Sequence, residues 1–156
     1  KYIFFTSYIE KRDSEYWHKK ITTNKIVIPY GILPLETDQL QLTHSTEKKK
    51  YFIYLGRIHE KKNIELLLDI FDNYYSYNSN YKLYICGNGE MSYLNHLKKI
   101  SNSKSSGKSV EWLGHVTGNK KIYLLKNAEL FLFPSHSENF GISFVEALSL
   151  GVPVVI

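Results

Sequence analysis

The sequence predicts an α/β domain in which a parallel sheet is covered by helices on both faces, a three-layer α/β/α arrangement. Three observations carry that prediction. Apolar runs of strand length recur between residues 51 and 156. Segments with helical apolar spacing separate them. Each crossover is long enough to bring the next strand back parallel to the last, as a βαβ unit requires. A sheet of this kind is apolar on both faces and binds ligands beyond the carboxyl ends of its strands. The loops that follow each strand are therefore where chemistry is expected.

Taken in order, the strand-like runs are YFIYL at 51–55, KLYIC at 82–86, VEWL at 110–113, ELFLF at 129–133 and VPVVI at 152–156. Helices are expected at 63–76, 90–100, 118–127 and 141–150. Asn63 stands before IELLLDIF and Gly118-Asn119 before KKIYLLKNA, each a helix-start signal. In the last helix Ile142, Phe144, Val145, Ala147, Leu148 and Leu150 surround nearly the whole circumference, which predicts burial on all sides. The Ser/Lys-rich stretch at 101–109 reads as a mobile loop. The start of the chain differs. FFTSYIEKRDSEYWHKK reads as a strand end plus a helix, NKIVIPYGILP as a strand entering a turn, and the polar stretch 35–50 as a linker. This divides the chain into residues 1–35 and a domain of 36–156. Both ends read as lying inside strands, so the expectation is a piece of a longer chain.

Composition narrows the function. At 156 residues, 43% hydrophobic and 22% charged, the chain has the makings of a globular domain with a sizeable core. No apolar run approaches the length of a bilayer span. A single cysteine, Cys86, excludes an internal disulfide and a cysteine-rich metal site, and suits the cytoplasm. The net charge of +5 favours an anionic ligand: nucleic acid, acidic lipid headgroups or a phosphorylated small molecule. Solvated lysine faces account for the same charge. The aromatics fall mostly inside strand and helix patterns, where core is their default role, so no nucleic-acid partner is expected. Richness in Lys, Asn, Tyr and Ile fits an AT-rich genome.

Four loops follow the first four strands. GRIHEKKN sets Arg57 and Lys62 at one strand-to-helix junction, a guanidinium and an ammonium that suit a diphosphate. CGNGE offers Gly87 and Gly89, but the third glycine of a dinucleotide fingerprint falls on Ser92, so a tight turn with close backbone approach is the reading. LGHV places His115 and Val116 beside a glycine turn. The fourth loop, PSHSENFG, runs into a helix whose amino end is a ready anion site, with Gly141 open to a ligand. Glu138 beside that site repels a phosphate, so its carboxylate must serve hydroxyl groups or a cap. Glu146 has no Lys or Arg within a turn, and a shielded carboxylate needs donors from a distant side chain or from a ligand. No H-E-x-x-H, C-x-x-C, D-x-D or G-x-S-x-G pattern occurs, so no metal site and no serine nucleophile is expected.

Five segments in order, VIPYGI, YLGRIHEKKN, LYICGNGE, VEWLGHV and LFLFPSHSENFGISFVEALSLGVPVVI, resemble the retaining glycosyltransferases of the GT-B fold, family 4 of the sequence classification, over roughly residues 25–156. The pair of glutamates seven residues apart around NFG, with GVPVV after it, is the most specific part. The resemblance implies the carboxyl-terminal, Rossmann-like donor-binding half of a GT-B enzyme, with residues 1–35 a remnant of the amino-terminal domain and crossover. It implies hexosyl transfer from a nucleotide sugar to a glycan or lipid-linked acceptor, in bacterial cell-surface polysaccharide synthesis. The nucleotide sugar is then a substrate, and no cofactor or metal is called for. By this likeness Glu138, Arg57 and Lys62 form the catalytic set, with the two cations on the diphosphate and Glu138 on the donor sugar. Glu146, Asn139, Phe140, Gly141, Gly87, Gly89, His115 and Val116 bind the donor, and a ribose diol supplies the donors that Glu146 lacks. The implied location is the cytoplasm or the inner face of the membrane, and the chain without its partner domain is expected to be inactive. The alternatives are an epimerase or hydrolase of nucleotide sugars on the same fold and, from another class, a nucleic-acid-binding module.

Overall fold

The computed structural model describes residues 1–18, 22–29, 31, 50–138 and 140–156. It contains two parallel sheets. The first is a pair, β1 (Tyr2–Phe5) and β2 (Asn24–Val27), in register Tyr2↔Asn24 to Phe5↔Val27 and connected through helix α1 (Tyr8–Trp17). Helix α1 starts where the sequence provides a cap. The Ser7 hydroxyl accepts from Glu10 N at 3.1 Å, and Glu10 Oε2 accepts from Thr6 N and Thr6 Oγ1 at 2.7 Å each. Those bonds hold the Glu10 carboxyl below its usual range, the Thr6 N–H contributing most. Of the linker expected at 35–50, all but Lys50 lies outside the described residues.

The second sheet has five strands: β3 (Tyr51–Leu55), β4 (Lys82–Cys86), β5 (Val110–Gly114), β6 (Leu130–Leu132) and β7 (Val154–Val155). Their order is β5-β4-β3-β6-β7 and every pairing is parallel. Helices α2 (Ile64–Tyr77), α3 (Met91–Ser103), α4 (Gly118–Lys126) and α5 (Ile142–Ser149) make the crossovers. The core follows from the apolar runs. Ile53, Leu83, Ile85 and Phe131 of the sheet are fully enclosed, as are Ile64, Leu67 and Phe71 on one face of α2. Each such side chain contributes about 1.5–3 kcal/mol by leaving water. Tyr51 is buried on the central strand, and its hydroxyl escapes the cost of burial by donating to the Leu124 carbonyl at 2.7 Å.

Three expectations need correction. The helix at 141–150 is not buried all round: of α5 only Ala147 is buried, while Ile142 is 47% and Leu148 52% exposed. It packs by one face, the Phe144 ring 5.7 Å from that of Phe133 and the Ala147 carbonyl accepting from Val152 N at 3.0 Å. Residues 101–109 are not a loose loop. Helix α3 continues to Ser103, a short 3-10 turn covers Gly107–Ser109, and Ser101 and Ser106 are buried. Helix α2 holds this stretch: Asp72 accepts from Ser106 N and Ser105 Oγ at 2.8 Å each, and Lys104 reaches Asp69 at 2.6 Å. The last two strands are shorter than their apolar runs. A ladder needs N–H donors, and Pro153 can only accept, taking its bond from Phe131 N at 2.9 Å.

The strand order fixes where a ligand can sit. From β3 the chain steps outward through β4 and β5, then returns past β3 to β6 on the other side. The order reverses at β3, so the carboxyl ends of β3 and β6 border an open crevice.

Candidate functional site

The loop after β3 is stapled on both sides, which makes it a rigid base for its charged side chains. Toward β4, Gly56 N donates to the Cys86 carbonyl at 3.0 Å and Ile58 N to the Asn88 carbonyl at 2.9 Å, with a parallel bridge between Ile58 and Gly89. Toward β6, the Lys61 carbonyl accepts from His136 N at 3.0 Å and from Ser135 Oγ at 3.1 Å. From below, the Tyr54 phenol donates to the Arg57 carbonyl at 2.9 Å. The glycines of CGNGE exist for the first of these staples. A Cβ on Gly87 would lie 1.8 Å from the Gly56 carbonyl oxygen, and one on Gly89 would lie 2.1 Å from that of Ile58. Only glycine permits so close an approach of two loops.

Among the described residues three cavities open at this edge: one of about 410 Å³ lies between the β3 and β6 loops, lined by Arg57, Lys61, Lys62 and Glu138, and the other two share Leu55, Gly56 and Arg57. The larger, about 520 Å³, gathers Arg57 and Lys62 from the β3 loop, Glu138 and Phe140 from the β6 loop, and Gly141 and Glu146 from α5. The smaller, about 360 Å³, holds Gly87, Asn88, His115 and Val116. Of the residues singled out in the sequence, all but Gly89 and Asn139 thus line one cavity or the other. Gly89 serves the loop staple, and Asn139 lies outside the described residues. Helix α5 begins at Gly141, in the left-handed region at φ 70°, with no side-chain cap among the described residues, so its amino end borders the larger cavity.

The electrostatics differ from the expectation of two cations facing an open site. The Lys62 ammonium is paired with the Glu138 carboxylate and lies 5.3 Å from the centre of the Phe133 ring. Glu146 also has a partner, a distant side chain: Lys121 Nζ on α4 donates to Glu146 Oε1 at 2.6 Å. Both side chains of that pair are largely covered, 23% exposed for Lys121 and 13% for Glu146. Among the described residues Arg57 makes no ion pair. Of the cations lining the 520 Å³ cavity, it is the one without a carboxylate partner among the described residues. Cys86 lines the smaller cavity but is no nucleophile, because burial pushes its thiol up to about 12. No cluster of metal-ligating side chains occurs among the described residues, and no helix among them is long and apolar enough to cross a membrane.

Sequence reasoning missed Lys121, Thr6 and Glu10. Lys121 lines the larger cavity from the first turn of α4, immediately after the third carboxyl-edge loop, and that position was its one available signal. Thr6 and Glu10, at the start of α1, line the same cavity from the other sheet.

Comparison with known proteins gives this edge a context. A family model described as "Glycosyl transferases group 1" matches residues 37–156. An alpha-monoglucosyldiacylglycerol synthase of Streptococcus pneumoniae is 28% identical over 147 residues, covering 87% of this chain and 33% of that protein. A capsular polysaccharide biosynthesis glycosyltransferase, CapH of Staphylococcus aureus, is 31% identical over 102 residues, 65% of this chain and 28% of that one. Among solved structures, the pneumococcal O-GlcNAc transferase GtfA, in complex with UDP and GlcNAc, superposes with a TM-score of 0.77 at 19% identity, over 98% of this chain and 29% of that chain. WaaG, a glycosyltransferase involved in lipopolysaccharide biosynthesis, gives 0.77 at 18% identity, over 97% and 42%. These structures share the fold. The chain spans about a third of the length of the relatives it matches.

Proposed function

The chain belongs to the glycosyl transferases group 1 family, and on that premise we propose that it carries the donor site of a retaining glycosyltransferase. The parent protein moves a sugar from a nucleoside diphosphate to a glycan or lipid-linked acceptor at the inner face of the membrane, in cell-surface polysaccharide synthesis. The observation that supports this most directly is the larger cavity. It draws Arg57, Lys62, Glu138, Gly141 and Glu146 from three separate elements to one crevice at the carboxyl edge.

The proposed division of labour follows the chemistry of each group. The leaving nucleoside diphosphate gains negative charge as the glycosidic bond breaks. A guanidinium at Arg57, an ammonium at Lys62 and the amino end of α5 are preorganised to stabilise that charge. Glu138, with the backbone at 140–141, faces the hydroxyls of the donor sugar, and Glu146 faces those of the ribose. The smaller cavity, with His115 and Val116, takes the base. In retaining transfer by front-face attack, Glu138 and Glu146 need not act as the acid–base pair of a hydrolase. Residues 1–35 belong on this reading to a partner domain that carries the acceptor, and the boundary falls at 36–50.

Calorimetry with UDP, GDP and their hexose derivatives, in chelator and then with added Mg²⁺, tests the proposal. The expected result is binding in chelator. Binding of none of these under either condition would remove the donor-site reading.

A further inference from the structure

We infer that Lys121 is a positioning residue of the donor site: it clamps the Glu146 carboxylate in one orientation so that the carboxylate meets a ribose diol ready-made. The inference rests on the donor-site reading above and adds a residue that neither the family motifs nor the loop pattern supplies. Three observations carry it. Lys121 and Glu146 come from different helices, α4 and α5, yet their charged atoms meet at 2.6 Å. Both side chains line the same cavity of about 520 Å³. Both are mostly withdrawn from water, at 23% and 13% exposure, so solvent screens the pair less than it would an open surface pair.

The chemistry of a carboxylate allows this role. Its two oxygens offer about four acceptor positions, and one ammonium N–H occupies one of them. Enough remain for two hydroxyl donors. Without Lys121 the Glu146 side chain would keep its rotamer freedom until the ligand arrived, and ordering it would then cost binding energy. With Lys121 the ordering is done before binding. The location is apt as well. Lys121 lies in the first turn of α4, the helix that follows Val116, so a single side chain ties the helix after the smaller cavity to the helix that borders the larger one.

Two other roles for the same contact make opposite forecasts. A lysine that merely stapled α4 to α5 would affect stability, and nucleotides with and without the 2′-hydroxyl alike. A lysine that competed with the diol for Glu146 would weaken binding in the wild type, and its removal would tighten it.

The test is calorimetry on the chain and on its K121M, K121Q and K121R variants. The probes are whichever of UDP, GDP and ADP binds the wild type most tightly and its 2′-deoxy counterpart, with urea midpoints recorded in parallel. The expected outcome for K121M and K121Q is a loss of about tenfold in affinity for the ribonucleotide, the scale of one charge-assisted hydrogen bond. The loss for the deoxynucleotide should be about threefold or less, and K121R should restore most of the difference. Equal losses for both nucleotides, tighter binding in K121M, or no change would each overturn the inference. A wild type that binds none of the three nucleotides would overturn the donor-site reading itself, and the wild-type titration separates the two failures. If K121M does not fold, the uncharged polar K121Q decides.

Discussion

Replacing Glu138 by Gln gives a test whose sign depends on how the site shares its cations. Lys62 is already engaged by the Glu138 carboxylate, with side chains 15% and 30% exposed. A diphosphate entering the cavity must share Lys62 with an anion that is in place before it arrives. A like charge about 6 Å from a phosphate, at an effective dielectric of about 20, costs roughly 2.8 kcal/mol. Glu138 is close to a third exposed, and water and salt bring the effective figure to roughly 1–1.5 kcal/mol. E138Q removes that repulsion and releases Lys62, so a nucleoside diphosphate should bind about five- to tenfold more tightly. The corresponding nucleotide sugar should gain less, because the lost carboxylate is also the group proposed to face the sugar. Titrating both ligands into wild type and variant, at low and at high salt, reads the effect, and the gain should shrink as salt rises. Unchanged or weaker diphosphate binding in E138Q would refute the idea that Lys62 is held in common.

Two further outcomes follow from the packing around the site. Gly87→Ala puts a Cβ 1.8 Å from the Gly56 carbonyl oxygen at a φ of +150°, so it should cost about 1–3 kcal/mol or more and loosen the β3 loop. A lower urea midpoint together with lost nucleotide affinity is expected, and an unchanged midpoint would contradict the loop staple. The second outcome is alkaline. Burial raises the Cys86 thiol from 9.0 to about 12 and pushes the Tyr51 and Tyr54 phenols up. The unfolded chain therefore releases these protons first, so their contribution is complete below the unfolded values and is lost as pH rises through the folded ones. Urea midpoints should hold to about pH 8.5 and fall steadily toward about pH 11; a flat profile would show that these groups are open to water.

What the sequence discloses depends on whether a feature is written locally. Strands 51–55 and 82–86 are legible to the residue, because burial on both faces writes an unbroken apolar run. The runs at 129–133 and 152–156 overstate their strands, since apolarity marks burial and the ladder ends a residue or two sooner. Helix α5 misleads for a related reason: counting apolar residues around a helix says nothing of how many neighbours are there to cover them. The glutamates at 138 and 146 stand out because their spacing and their loop are both local. Lys121 does not, since its tie to Glu146 spans 25 positions and exists only once α4 and α5 are placed on the sheet.

The same distinction separates Arg57 from Lys62, which the sequence presents as an equivalent pair. Folding brings two of the crevice's glutamates a lysine from different βα units: Lys62 to Glu138, from the β3 loop, and Lys121 to Glu146, from α4. A shielded carboxylate without such a partner would carry a desolvation cost, so each pair offsets the burial of its own glutamate. Arg57 stands apart from both pairs, and its carbonyl is anchored by Tyr54 while its backbone neighbours are tied to β4. A guanidinium on an anchored backbone, with no carboxylate of its own among the described residues, is the group with most to gain from a diphosphate. On the proposed donor-site reading, this charge pattern favours ribose and sugar contacts at the lysine-held glutamates and the first grip on phosphate at Arg57.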